Sequence, residues 1–394
     1  MILNKEELDE NQKAALNKFK EQVQSNLKDH HDDHFLIKWL QATDFDAQKA
    51  EDMFRQSLWI RKKFDLDSVL SSYHPPEVLL KYDPGGFYGY DKEGSPIFVD
   101  PLGQVDFRGI LHSAKKEQVL KFKGYRAELG LKMAREKSKE LNKPVCQVTC
   151  IIDMEGFGLK HLWGPGIDLF NNVLTMYEHN FPGYWKRIFV IKASSIVPTG
   201  YSLCKPFLSE YTKDRIKIFG ADWKEKLQKY IDVDNLPEYY GGTGCDENDP
   251  KCSSKICYGG IIPESYYLAK KPFGQADGST VATVDRGKKL EIVKEIETPG
   301  SILSWEFRTQ EHDIGFGIFL CSPTLDDQDD MDDVLPIQRV NSHLSPEIGS
   351  FECECSGKYV IRFDNTYSWV RKKTVEYSID ISIPSEGKPD QKQQ

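Results

Sequence analysis

The sequence predicts a multidomain α+β chain. It expects an N-terminal helical bundle, a middle α/β domain with a mainly parallel sheet, and a C-terminal antiparallel β-sandwich. Three hydrophobic periods predict this order. Over 8–72 apolar residues recur at helical spacing, over 73–246 short apolar runs alternate with helical patterns, and over 275–383 the period falls to two. A length of 394 residues suits roughly two or three domains. With 39% hydrophobic and 12% aromatic residues the chain can fill such cores, which excludes disorder throughout.

In the first stretch Leu16, Phe19, Val23 and Leu27 share a helical face, as do Leu36, Trp39 and Leu40, then Met53, Phe54 and Leu58. A carboxylate at a helix start accepts from N–H groups that lack a partner in the helix. Asp32 or Asp33 suits the second helix, and Asp44 or Asp46 the third. In the middle stretch Tyr90-Asp91-Lys92-Glu93-Gly94 is a hairpin signal before the strand Ile97-Phe98-Val99. Val145 to Ile152, Arg187 to Lys192 and Ile216-Lys217-Ile218 read as further strands, with helices at about 115–141 and 161–180. That alternation makes a largely parallel sheet covered by helices.

In the last stretch Leu303, Trp305 and Phe307 alternate with Ser304, Glu306 and Arg308. Ile314, Phe316 and Ile318 share a side, as do Tyr359, Ile361 and Phe363. Val375, Tyr377, Ile379, Ile381 and Ile383 oppose Glu376, Ser378, Asp380 and Ser382. Half-buried antiparallel strands of this kind make a sandwich. Residues 247–274, rich in Gly, Pro, Cys and Lys, read as a linker, and 384–394 as a disordered tail.

Composition removes several functions. Lys and Arg number 52 against 61 Asp and Glu, a net charge of −9, so the basic footprint of a nucleic-acid binder is missing. No run of 18 or more apolar residues occurs, so no spanning helix is expected. Met1-Ile2-Leu3-Asn4-Lys5 opens no apolar leader, and neither terminus carries a lipidation signal. Nine cysteines, an odd number, and no Asn-x-Ser/Thr sequon suggest a reduced, cytoplasmic protein.

Metal and catalytic motifs fare no better. Within His30-His31-Asp32-Asp33-His34 the Asp pair is read as a helix cap rather than part of a metal site. Cys245, Cys252 and Cys257, or Cys353 and Cys355, lack paired C-x-x-C spacing. Asp326, Asp327, Asp329, Asp330, Asp332 and Asp333 lack the Gly and final Glu of a calcium loop and read as a solvated loop. No G-x-S-x-G, Walker A or H-E-x-x-H occurs, and Gly156-Phe157-Gly158 leads to His161 where a dinucleotide fingerprint needs Gly. Asp153 and Glu155 suit a turn and cap better than an acid–base pair. The expectation is a protein that is not an enzyme and holds neither metal nor cofactor.

Apolar binding has more behind it. In the 161–180 helix Phe170, Leu174 and Tyr177 lie on one side while Leu162, Leu169 and Met176 lie on another, so burial on two sides is expected. The thirteen residues Ile196 to Leu208 carry one charge, Lys205, and Gly200 and Pro206 bracket them as in a hinged lid. An ordinary core helix carries the same pattern, and the residues alone leave both readings open.

The order of motifs is more specific. Asp33-His34-Phe35-Leu36-Ile37-Lys38-Trp39-Leu40-Gln41-Ala42 resembles the N-terminal helical motif of CRAL-TRIO lipid-transfer proteins. Gly89 to Ile97 resembles their first hairpin, Ile151-Ile152-Asp153-Met154-Glu155-Gly156 their central strand end, and Pro182 to Arg187 the turn before the next strand. Lys205-Pro206-Phe207-Leu208 and Leu236-Pro237-Glu238-Tyr239-Tyr240-Gly241-Gly242 complete the set. Gly315-Phe316-Gly317-Ile318-Phe319 and Arg362 to Ser368 are similar to a GOLD domain. The resemblance spans about 8–385, and the pairing is more specific than either part.

The resemblance implies a cavity over the sheet that takes one lipid from a membrane beneath a mobile helix. It implies Val148, Cys150, Ile152, Phe170, Leu174, Phe189 and Ile191 as lining, Tyr201, Leu203, Phe207 and Leu208 as gate, and Lys205 as headgroup contact. Phosphatidylinositol-binding relatives carry a basic pair after the N-terminal helical motif, where this chain has Gln41-Ala42-Thr43-Asp44. A lone Lys205 is a weak phosphate clamp, so tocopherol, squalene or a phospholipid of the phosphatidylcholine type is expected. The implied partners are that lipid, a transiently contacted Golgi or ER membrane surface, and a protein bound through the GOLD domain. A second reading makes the chain a lipid-sensing trafficking or signalling adaptor.

Overall fold

The structure, a computed structural model, describes residues 5–28, 31–268, 273–274, 278–321, 331–344 and 346–382. It divides into two compact units, Met1–Tyr267 and Leu268–Gln394. The first opens with helices α1 (Glu10–Val23), α2 (Asp33–Ala42) and α3 (Ala47–Phe64). Their apolar faces close on Phe19, Leu36, Trp39 and Phe54, with the Trp39 and Phe54 rings edge to face at 5.2 Å. Asp32 accepts from the Phe35 N–H, and Asp46 from those of Gln48 and Lys49. Asp33 instead lies inside the first turn of α2 and pairs with Lys5 and Lys20. Asp44 occupies a left-handed turn at φ 51°.

Short helices α4 (Val69–Ser72) and α5 (Glu77–Tyr82) lead into a five-stranded sheet in chain order. Its strands are β1 (Gly86–Tyr90), β2 (Pro96–Asp100), β3 (Val148–Asp153), β4 (Trp185–Ile191) and β5 (Ile216–Ile218). The β1–β2 hairpin is antiparallel and the remaining pairs are parallel. Asp91 builds the hairpin turn by accepting from the N–H groups of Glu93 and Ser95, and Gly94 supplies the φ of 92°. The buried Asp91 carboxylate also pairs with Lys186 at 3.0 Å and Arg187 at 3.3 Å, which ties the hairpin to β4.

Helices α6 (Phe107–Ser113), α7 (Lys116–Leu141) and α8 (Gly164–Asn180) fill the crossovers, followed by α9 (Val197–Cys204), α10 (Glu210–Lys213) and α11 (Trp223–Gln228). The helix expected over 161–180 is broken. A 3-10 turn, Leu159–Leu162, ends before α8, whose first turn holds Pro165, a residue with no N–H to leave unpaired there. Strand alternation divides the sheet. Phe98, Val148, Cys150, Ile188 and Val190 pack with Ala127 of α7 and Met176 of α8. Ile97, Val99, Ile151, Phe189 and Ile191 pack against Leu227, Ile231, Leu236 and Tyr240.

Much of the stretch read as a linker is core. Cys252 and Ile256 are fully buried, and Ile256 joins the second of those clusters. The Gly85 N–H donates to the Cys257 carbonyl at 2.8 Å, and the Ile262 N–H to Asp106 at 3.0 Å. A Gly- and Pro-rich composition marks the lack of a regular element, not the lack of packing.

The second unit is two antiparallel four-stranded sheets. Its strands are β6 (Thr280–Val284), β7 (Lys289–Ile296), β8 (Ser301–Thr309), β9 (Ile314–Cys321), β10 (Met331–Val340), β11 (Glu347–Cys353), β12 (Gly357–Asp364) and β13 (Lys373–Ser382). The orders are β10-β9-β12-β7 and β11-β8-β13-β6. Leu303, Phe307, Phe316, Ile318, Ile361, Phe363 and Val375 fill the space between them. Glu376, expected to face water, is buried, because Arg308 pairs with it at 2.6 Å and Ser279 donates to it at 2.8 Å. Asp332 and Asp333 are exposed on β10, paired with Leu320 and Phe319, rather than in a loop. His30, Asp326, Asp327, Asp329, Asp330, Ile383 and the tail 384–394 lie outside the described residues.

Candidate functional site

A cavity lies between the sheet and α8. The centre of a water-sized sphere can move through about 110 Å³ of it, where a single water needs roughly 10–15 Å³ on that measure. Phe98, Cys150, Ile152 and Ile188 form the floor, one face of three parallel strands. Leu169, Phe170, Val173, Leu174 and Tyr177 form a wall, because positions three and four apart share a helical face. Leu102, Val105, Phe107 and Ile110, before and within α6, form the opposite wall, and Leu208 reaches in from beyond α9.

Of the residues expected as lining, the structure brings Cys150, Ile152, Phe170 and Leu174 to the cavity, together with Leu208 from the gate set. Val148 shares their sheet face but is sealed beneath other side chains. Phe189 and Ile191 face away from the cavity, since successive strand residues alternate sides. Ile188 takes the place that Phe189 was expected to fill.

The gate set spans α9, the 3-10 turn Lys205–Phe207 and Leu208 just after it. Val197 and Cys204 are buried, whereas Leu203 and Phe207 are 44% and 43% exposed, so the segment is apolar on both sides. Tyr201 is half-buried and Lys205 is exposed, and neither lines the cavity. Gly200 lets α9 lie close to Phe157, whose ring would stand 3.1 Å from a Cβ at that position.

The cavity also has a polar end that sequence reasoning missed. Asp83, Asp100 and Lys123 line it, and Glu178 of α8 and Thr212 are the cavity's further polar lining residues. Asp83 binds Lys123 at 2.6 Å and Arg126 at 2.5 Å, and the Arg126 guanidinium donates to the carbonyls of Asp83, Pro84 and Gly85 as well. The Tyr177 hydroxyl donates to the Lys123 carbonyl at 3.3 Å. Asp100 Oδ1 is buried and has no hydrogen-bond partner among the described residues. Desolvation pushes the Asp100 carboxyl up to about 6; Lys123 and Arg126 oppose that rise and Asp83 reinforces it. Desolvation likewise raises the Tyr177 phenol and the Cys150 thiol. A signal for Asp100 existed: in Ile97-Phe98-Val99-Asp100 it falls on the same strand face as Phe98.

Asp153 and Glu155 stand on a separate network. Asp153 Oδ1 accepts from the Glu155 N–H at 3.0 Å in a turn. Lys192 binds Asp153 at 3.0 Å and Glu155 at 2.6 Å, and the Tyr240 hydroxyl donates to Asp153 at 3.1 Å. The Lys192 bond holds the Glu155 carboxyl below its usual range, aided by the Tyr239 hydroxyl. Both carboxylates are thus already partnered.

The pattern described as the CRAL/TRIO domain matches residues 80–242, its N-terminal domain matches 13–56, and that described as Golgi-dynamics membrane-trafficking matches 321–382. Protein ctg-1 of Caenorhabditis elegans is 31% identical over 357 residues, covering 90% of this chain and 92% of that protein. The chain belongs to the CRAL/TRIO family. CRAL/TRIO proteins form a lipid-binding and lipid-transfer family. CRAL-TRIO domain-containing protein T23G5.2 of the same organism is 30% identical over 322 residues, covering 77% of this chain, which spans 44% of that relative's length. A crystal structure of Sfh5 superposes on 61% of this chain and 90% of its own, with TM-score 0.46 and 16% identity. The CRAL/TRIO match takes in the whole sheet and α8, and so the elements that form the cavity. Among the described residues no helix is long and apolar enough to cross a membrane.

Proposed function

We propose that the chain is a carrier that buries one hydrophobic lipid, of the tocopherol, squalene or phospholipid type, in the cavity between the sheet and α8 and moves it between membranes. One observation carries this reading: a hollow in the CRAL/TRIO unit, with room for far more than one water, whose floor and walls are mostly apolar side chains. Burial there gains about 25 cal/mol per Å² of apolar surface. The same gain would hold the lipid in place, so exchange needs a wall that moves. The segment Val197 to Phe207 suits that role, since its outer side already shows Leu203 and Phe207 to solvent. The test is Leu174→Arg, which puts a charge among the lining side chains. Loss of uptake of a radiolabelled lipid from vesicles, with circular dichroism unchanged, is the expected result, and full uptake by the folded variant would remove the cavity from the mechanism.

The Golgi-dynamics match favours a second role alongside the first. The sandwich is a unit with its own core, which suits recruitment of a protein partner or a Golgi or ER membrane while the cavity reports the lipid.

A further inference from the structure

We propose that Asp100 is the polar anchor of the cavity's ligand, and that it selects a neutral lipid carrying a free hydroxyl group. The assignment rests on the carrier reading above and sharpens it to a ligand class. Asp100 stands at the C-terminal end of β2, on the face that also carries Phe98, and in register with Ile152 of β3. Its side chain lines a mostly apolar cavity whose other polar lining residues are Asp83, Lys123, Glu178 and Thr212. A buried carboxyl oxygen without a partner costs free energy, and a ligand that supplies the missing hydrogen bond recovers it. Asp100 Oδ1 is such an atom among the described residues.

The neighbouring cations do not turn this end into a phosphate site. Lys123 is bound to Asp83, and Arg126 is bound to Asp83 and to three carbonyls. A phosphate would also bring negative charge against Asp83 and Asp100 together. A cationic amine would meet Lys123 and Arg126 in a site of low polarity. A hydroxyl carries no charge, donates to a carboxylate and accepts from a carboxylic acid, so it complements Asp100 in either protonation state. An ether or a bare hydrocarbon leaves a carboxylate unanswered.

The experiment uses the full chain and three matched probes: hexadecanol, its methyl ether and hexadecylamine, offered from neutral vesicles at pH 7.5 and counted by native mass spectrometry. Hexadecanol should be preferred over the ether by about tenfold, the size of one hydrogen bond at a buried group. Asp100→Leu should bring the two within about twofold, while Asp100→Asn, which keeps an acceptor and tests for misfolding of the first variant, should retain the preference. Equal binding of alcohol and ether by the natural chain, or a preference surviving Asp100→Leu, would overturn the assignment. Tighter binding of hexadecylamine than of hexadecanol would overturn it in favour of a cationic ligand. Binding of all three probes without discrimination would leave the carrier reading standing alone, whereas binding of none would remove both.

Discussion

Asp100 sets a cost in the unliganded protein that can be measured apart from any lipid. Its carboxyl has an ordinary value of 3.8 and is raised to about 6 in the fold, chiefly by desolvation. The native state therefore holds this proton more tightly than the unfolded chain. The stability it contributes is full below about pH 4 and is lost as pH rises through about 6. A rise of that size corresponds to at most about 3 kcal/mol by pH 7.5. Asp100→Asn removes that titration, so we expect the variant to be more stable than the natural chain by about 1–2 kcal/mol at pH 7.5 and about equal at pH 4. Urea unfolding at the two pH values checks this, and a variant no more stable at pH 7.5 would mean that Asp100 is solvated in the free protein. Asp100 was legible from alternation with Phe98, but its lack of a partner was not. That fact depends on Asp83, Lys123 and Arg126 pairing among themselves across α7 and the loop after α5.

At the scale of elements, sequence patterns located β2 to β5 and mistook one face of β4. Ile188-Phe189-Val190-Ile191 is apolar at all four positions, as buried parallel strands are, so no alternation tells which side meets the cavity. The register with β3 decides it: Cys150 lies beside Ile188, and those two line the floor. The helix caps were easier, because a carboxylate before an apolar period has a local partner, as at Asp32 and Asp46. The segment proposed as a gate is marked by its scarcity of charge rather than by periodicity, and its two apolar sides have different surroundings. The inner side meets Phe157 and Leu162 through Gly200, while the outer side presents Phe207. We expect Phe207→Asp to slow lipid transfer between vesicles about tenfold, the loss of one aromatic contact with the bilayer of about 1.5 kcal/mol or more. The amount of lipid bound at equilibrium should change little. A stopped-flow transfer assay beside an equilibrium titration separates the two, and loss of binding equal to the loss of rate would make Phe207 part of the pocket instead.

At the scale of the whole molecule, the change from alternating strand and helix patterns to a period of two marks a real division, although not at the residues expected. Composition suggested a linker over 247–274, yet Cys252, Ile256 and Ile262 are core residues of the first unit, which extends to Tyr267. The reason is that irregular chain can pack as tightly as a helix when its backbone groups find partners, as Cys257 does with Gly85. Each unit closes its cores from its own residues: Ile60 to Ile216 around the cavity, and Val284 to Ile381 in the sandwich. A chain ending at Tyr267 keeps every residue that lines the cavity, whereas one ending at Asp246 loses Cys252, Ile256 and the bonds to Gly85 and Asp106. We therefore expect the 1–267 fragment to fold and to take up lipid from vesicles as the full chain does, within about twofold. The 1–246 fragment should lose several buried side chains, each worth about 2–5 kcal/mol on truncation, and should fail to fold stably. Calorimetry of both fragments beside the full chain, with an uptake assay on each, tests the boundary and the division of labour together. A 1–267 fragment that folds and takes up no lipid would mean that the sandwich participates in loading rather than in addressing.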